Sequence, residues 1–347
     1  MKSCLTLIAL FLFQAKSFAL STPNFFYDSS INNVEQFVLS RSCFSLSSSK
    51  YNASCSPSHK TSAKQKRLQS NLFVTDSISE VLEYSEHLQN EDAVSAVEQA
   101  LDSEEVIMSS ASLNVSYTSS NWGLFFIPAR LHLATKVENP ALPEIAMHAS
   151  VEKELGARLF VESKALSGLG YGITVRGTEA TFIRENFDFL MATIDSDSIK
   201  VQKGVVLQAE PSVSYRFNTF WSPTLTATLN NLKIIESGDL IPTEVVTDLG
   251  LSVTPSFLKE RLETSLHYSD RNDIQFWRRS FSLGGRYIIN ENLNLIFSYS
   301  SVEQAVGVQG NIDSLLVGLG YKSLTYNFSD FKIETVDSVV LSLGLGF

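Results

Sequence analysis

The feature that most constrains this chain is a period of two. From about Val106 to the last residue, segment after segment alternates apolar residues with polar or small ones. The final stretch, DSVVLSLGLGF, puts Val339, Leu341, Leu343, Leu345 and Phe347 on one parity and Ser338, Val340, Ser342, Gly344 and Gly346 on the other. Successive side chains of an extended chain point to opposite faces, so each such segment is a strand with one greasy and one polar face. The clearest earlier example sets Val205, Leu207, Ala209, Pro211, Val213 and Tyr215 against Gln208, Glu210, Ser212, Ser214 and Arg216. Leu249 and Leu251 oppose Asp248 and Ser252; Leu262, Leu266 and Tyr268 oppose Glu263, Ser265 and His267; Leu283 and Tyr287 oppose Ser282, Gly284 and Arg286. Leu324, Tyr326 and Phe328 are expected on the greasy side in the same way.

A soluble sandwich produces this alternation with its apolar face inward, and a transmembrane barrel produces it with the apolar face outward to lipid. The amino terminus favours the second. Lys2, an apolar core from Leu5 to Phe13, and Ser17 and Ala19 spaced as a cleavage site form a secretory signal peptide cut after Ala19. No stretch reaches the ~18 apolar residues of a spanning helix, so an exported protein in a membrane would have to cross it with strands. Charged residues make up 18% of the chain, which is low for a soluble protein, and there are 23 Phe and 11 Tyr.

Three domains follow: residues 1–19, the signal peptide; residues 20–105, an irregular segment with short helices, periplasmic or acting as a plug; and residues 106–347, an all-β transmembrane antiparallel barrel of about 14 strands, within a range of 12–14. Strands are expected to start near Ser112, Gly123, Ile145, Ala157, Gly170, Val205, Thr224, Val245, Arg261, Ser280, Asn292, Ser314, Leu324 and Ser338. A helical period and a capping box (Ser77 with Glu80) mark helices between Ser77 and Glu105, the segment expected to obstruct the lumen. One long connection, Gly177 to Gly204, carries a helical stretch around Phe187 to Ile194.

The net charge of −10 argues against a nucleic-acid partner. No Cys or His spacing suits a metal, and no cofactor motif is present. Cys43 and Cys55 remain after signal cleavage and could pair in an oxidising compartment. His267, Asp270 and Asp273 in HYSDRND form the nearest approach to a catalytic cluster, and a polar hairpin turn is the better reading of them, so the chain is expected not to be an enzyme. Gln208, Glu210, Arg216, Glu263, His267 and Arg286 are expected to face the lumen, where buried charges need partners. By the same parity Leu343 and Leu295 face lipid, where an arginine is expected to cost more than at Ser342 on the other face.

Several stretches together resemble the PorV and TraF-like branch of outer-membrane barrels, related in architecture to FadL-type transporters. NWGLFFIPARL resembles the family's first barrel hairpin, LGYGITVRG its Gly-rich strand before the long loop, and TLTATLNNLKI its strand ending in an Asn-rich turn. LETSLHYSDRND and the run from FSLGGRYIINENLNLIFSYSS to LLVGLGYKSLTYNFSDF resemble its closing strands. The family's Arg-Gly-rich amino-terminal segment has its best counterpart in SRSCFSLSSSKYNASCSPS, which lacks glycine. Leu343, Leu345 and Phe347 look like the carboxyl-terminal signal read by the barrel-assembly machinery. The resemblance implies the outer membrane of a Gram-negative bacterium, with outer-membrane lipid and that machinery as partners. It also implies a channel for small or hydrophobic solutes with a small hydrophobic ligand, or, as the alternative, an accessory barrel handling a secreted protein in secretion, conjugation or surface attachment.

Overall fold

The computed structural model describes residues 34–39, 42–43, 56–59, 66–75, 107–138, 144–188, 201–238, 245–258, 261–270, 281–290, 292–301, 303–328 and 332–346. The signal peptide, the helices placed at Ser77 to Glu105, Cys55, Asp273 and Phe347 lie outside the described residues.

One short helix, α1 (Val34–Leu39), precedes the strands β1 (Arg67–Thr75), β2 (Ile107–Thr118), β3 (Trp122–Glu138), β4 (Glu144–Glu162), β5 (Leu169–Asp188), β6 (Val201–Arg216), β7 (Thr224–Asn230), β8 (Leu232–Gly238), β9 (Val246–Val253), β10 (Leu262–Asp270), β11 (Phe281–Asn290), β12 (Leu293–Ser300), β13 (Glu303–Ile312), β14 (Leu315–Phe328) and β15 (Lys332–Gly346). Every neighbour pair is antiparallel. β7 and β8 both pair with β6 and are two halves of one strand, interrupted where Asn231 takes a left-handed φ of 59°. The fifteen segments are therefore fourteen strands, and the pairings β1–β15 and β5–β6 leave no free end to the sheet. Closure is what a sheet without water on its rim requires, since an open edge strands a row of backbone donors and acceptors.

The polarity of the wall is inside-out. Leu155, Leu159, Val161, Leu319, Leu341, Leu343 and Leu345 stand 43–62% exposed on the outer face. Buried polar residues alternate with them along the same strands: Ser150, Glu152 and Glu154 on β4, Gln208, Glu210, Ser212 and Ser214 on β6, and Ser338 and Ser342 on β15. That is the arrangement of a transmembrane barrel. Connections at one end, such as 119–121, 291–292 and 313–314, are short, and three at the other, 76–106, 189–200 and 271–280, are the longest in the barrel.

Strand boundaries depart from expectation in a compensating way. Ile145 and Ser314 mark the starts of β4 and β14, but Ala157 and Leu324 begin no strands of their own, since β4 and β14 run through them. Two unexpected strands replace them, β1 and β13. The barrel wall thus begins at Arg67 rather than at residue 106, and β1 is the strand against which β15 closes. Gly177 to Asp188 belongs to β5, not to the long connection. Leu324 shares the parity of inward-facing Lys322, so its outward assignment is reversed; read as an isolated strand, that segment had nothing to set its phase, and the side chains of Tyr326 and Phe328 lie outside the described residues.

Candidate functional site

Three described pieces of the chain, residues 34–39, 42–43 and 56–59, lie inside the lumen. Helix α1 lies inside the barrel against β12, β13, β14 and β15, and its Val34, Phe37, Val38 and Leu39 are at most 1% exposed. A six-residue helix has no stability of its own in water, so the wall must hold it. Ile296, Val340 and Phe73 supply apolar contact, with Phe37 and Phe73 ring centroids 5.4 Å apart. Gly307 and Gly320 supply room: a Cβ on Gly307 would fall 2.6 Å from Val38 Cγ2, and one on Gly320 would fall 2.9 Å from the same atom. The Nζ of Lys322 sits 4.8 Å over the Phe37 ring, and the Ser298 hydroxyl donates to the Val38 carbonyl.

Polar contacts fasten the same segment. Arg286 on β11 bridges two carboxylates, donating from Nη1 to Glu35 of α1 at 3.2 Å and from Nη2 to Glu263 of β10 at 2.9 Å. Ser265 donates to the carbonyl of Ser42 at 3.3 Å, and Cys43, 3% exposed, is disulfide-bonded. A second piece, Ser56–His59, fills the opposite side. Ser56 and Ser212 hydroxyls are 2.8 Å apart, Ser214 donates to the Ser58 carbonyl at 2.9 Å, and the Thr226 hydroxyl meets His59 Nε2 at 3.0 Å. Gly170 and Gly172 on β5 let Pro57 and Ser58 backbone come against the wall, where any side chain would collide.

Glu263, His267, Arg286, Gln208 and Glu210 are all at most 6% exposed on inward-facing positions, and Arg216 is half-buried at the end of β6. The structure brings Glu263 and Arg286 together across β10 and β11. It gives Glu210 to Arg176 at 2.8 Å, and His267 Nε2 to Asp248 Oδ1 at 3.0 Å. Arg176 also donates to Asn231, and Arg130 spans Glu152 and Glu154 at 3.0 and 3.3 Å. His267 therefore bonds across the wall, while Asp270 is exposed, so these two form no catalytic pair. Leu343 and Leu345 are half exposed on the outer face. The residues missed by sequence reading are the plug's own anchors, Glu35, Phe37 and Ser56–His59. No period marks so short a helix, and the only available signal was Glu35 and Gln36 between Val34 and Phe37.

Fold and interior together define the class: a fourteen-stranded transmembrane-type β-barrel whose interior holds residues 34–39, 42–43 and 56–59 of its own chain. No protein-family model matches the chain, and neither does any curated protein. Among solved structures the chain is similar to the toluene transporter TodX of P. putida, at 10% identity over 82% of this chain and 91% of that one, with a TM-score of 0.44. It is similar to a deltaS2S3 mutant of the monoaromatic hydrocarbon channel TodX, at 11% identity over 82% and 90% with a TM-score of 0.46. A mutant Rh. blastica porin is similar at 9% identity over 82% and 99%, with a TM-score of 0.29.

Proposed function

We propose that the protein is a non-enzymatic channel barrel of the Gram-negative outer membrane, of the PorV and TraF-like branch, that admits small solutes when its amino-terminal plug moves. The observation that carries this reading is the way the plug is held. Residues 34–39, 42–43 and 56–59 are fastened by packing of α1 in a buried apolar cluster seated on wall glycines, by side-chain hydrogen bonds and by one buried ion triad, rather than by a strand of the sheet. Contacts of that kind can be exchanged for water or solute without breaking the wall. The wall that remains is polar and self-paired: Arg176 with Glu210, Arg286 with Glu263, His267 with Asp248. It would stay folded around a wet lumen, because barrels wider than about eight strands are no longer filled by side chains alone.

The test is deletion of residues 34–59 in the otherwise complete chain. The deletion variant keeps the heat-modifiable mobility of a folded barrel on unboiled gels and shows raised conductance in planar bilayers. A folded variant that conducts no better than the parent sinks the channel reading and leaves the accessory role.

A further inference from the structure

Directly on the short-turn side of the layer that holds α1, the wall carries a belt of uncharged hydrogen-bonding side chains. Asn294 on β12 faces Gln309 on β13; Gln309 faces Gly318 on β14; Gly318 faces Ser342 on β15; Ser342 faces Asn71 on β1; and Asn71 faces Asn114 on β2. Six adjacent strands thus present Asn, Gln, Gly, Ser, Asn, Asn at one level, all pointing inward. The five side chains are at most 2% exposed. The layer above, two residues along each strand, reads Ile296, Gly307, Gly320, Val340, Phe73, Ser112, and it is the seat of the plug.

The two ends of the belt differ. Asn71 accepts from Gln69 Nε2 at 3.1 Å and also bonds to Ser342. Asn294 and Gln309 have no hydrogen-bond partner on any of their four amide atoms, although both are fully buried. Val34 covers this level: a Cβ on Gly318 would lie 2.7 Å from Val34 Cγ2. Buried amides are normally satisfied, because a donor or acceptor withdrawn from water without replacement is costly. The seated plug presents the apolar side chain of Val34 at this level. The same amides become satisfied as soon as α1 leaves and something polar takes its place.

We infer that Asn294, Gln309, Ser342, Asn71 and Asn114 form a solute subsite, covered by Val34 in the closed barrel, that takes neutral polar solutes carrying both donors and acceptors, such as small polyols or sugars. An amide offers one acceptor and two donors and no net charge. A neutral hydroxylated solute can therefore exchange its water hydrogen bonds for protein ones along the belt. A charged solute would lose hydration with no opposite charge at this level to offset it. The ion pairs Arg176–Glu210, Arg286–Glu35 and Arg286–Glu263 stand at other positions of the lumen. This inference rests on the channel reading above and adds the class of solute.

The test uses proteoliposomes of the full chain and of its Glu35→Gln variant, in which the plug is loosened, and follows osmotic swelling in arabinose and in gluconate, a charged solute of similar size. Arabinose enters faster than gluconate. Asn294→Leu with Gln309→Leu lowers arabinose entry on the order of tenfold, the effect of losing a hydrogen-bonding partner, and leaves gluconate entry unchanged. The leucine pair also leaves thermal stability in detergent equal to or above that of the parent, since it removes unpartnered groups and adds apolar contact to Val34. Equal entry of both solutes, or undiminished arabinose entry in the leucine pair, overturns the subsite and leaves the channel intact. A marked loss of stability in the leucine pair overturns it as well, because the amides would then be holding the closed wall together. Failure of both solutes to enter with either chain, and with residues 34–59 deleted, overturns the subsite together with the channel.

Discussion

Arg286 on the barrel wall and Glu35 on the helix inside the barrel lie 3.2 Å apart, although 251 positions separate them in the chain. The same guanidinium reaches Glu263 at 2.9 Å, and all three side chains are at most 3% exposed. One cation between two carboxylates is a lock whose members are unequal. Removing the cation leaves two buried negative charges facing each other, whereas neutralising Glu35 leaves an intact Arg286–Glu263 pair. Arg286→Met is therefore expected to destabilise by about 3–5 kcal/mol, and Glu35→Gln by about 1–3 kcal/mol. Thermal unfolding in detergent checks the order, and equal losses would refute the lock.

The glycine seat makes a second test. Gly320→Leu places a side chain where Val38 Cγ2, Val340 Cγ1 and the Phe37 ring already lie within 3.0 Å of a bare Cβ. The wall can keep its ladder, so the helix is what yields. The variant should run as a folded barrel on unboiled gels and conduct more than the parent in planar bilayers. Loss of the folded form with no gain in conductance would mean that Gly320 serves strand pairing rather than plug docking.

On the outer face, Leu343 is 50% exposed and its neighbour Ser342 is fully buried. Leu343→Arg near mid-strand should cost on the order of 2–4 kcal/mol in folding titrations into lipid. Ser342→Arg, mild if the lumen were open at that level, is instead expected to be at least as damaging. Ser342 is packed against Gly318 and bonded to Asn71 and Gln69, so an arginine overfills the layer at a cost of about 1–3 kcal/mol and displaces α1. A silent Ser342→Arg would show that the plug does not occupy this layer.

Cys43 is disulfide-bonded and packs with Leu39 and Ile296 in the plug's apolar cluster. Cys43→Ser should loosen the plug, by about 2–5 kcal/mol if the bond behaves like other native disulfides, and leave the ladder of the wall untouched. Conductance that rises in this variant, and in the parent treated with reductant, is the expected readout. No change in either would place the bond outside plug retention.

What the sequence determined by itself was the alternation of faces within each strand it marked, not the phase of every one. Lipid outside and polar groups inside impose a strict alternation, and once the phase of a strand is set a residue's face follows from its parity. Glu210, Glu263, His267 and Arg286 are buried at the parity opposite exposed apolar residues of their strands. The number of strands emerged only because errors offset one another. β1 and β13 were missed because RLQSNLFVT sits isolated and EQAVGVQGNI is diluted by Gly and Gln, while the long β4 and β14 were each divided in two.

Only the tertiary structure decided which residues meet. The pairing of Arg286 with Glu35, the stacking of the amide level beneath the plug level, and the inward turn of Leu324 all depend on register. Register is set by fourteen strands closing together, not by any one of them. The plug was the least legible part of all. Its helix is too short to show a period and too short to form without the wall, so residues 34–39 acquire their structure from Gly307, Gly320, Ile296 and Arg286, residues that follow them by roughly 250 positions and complete a wall that a local reading of the chain cannot contain.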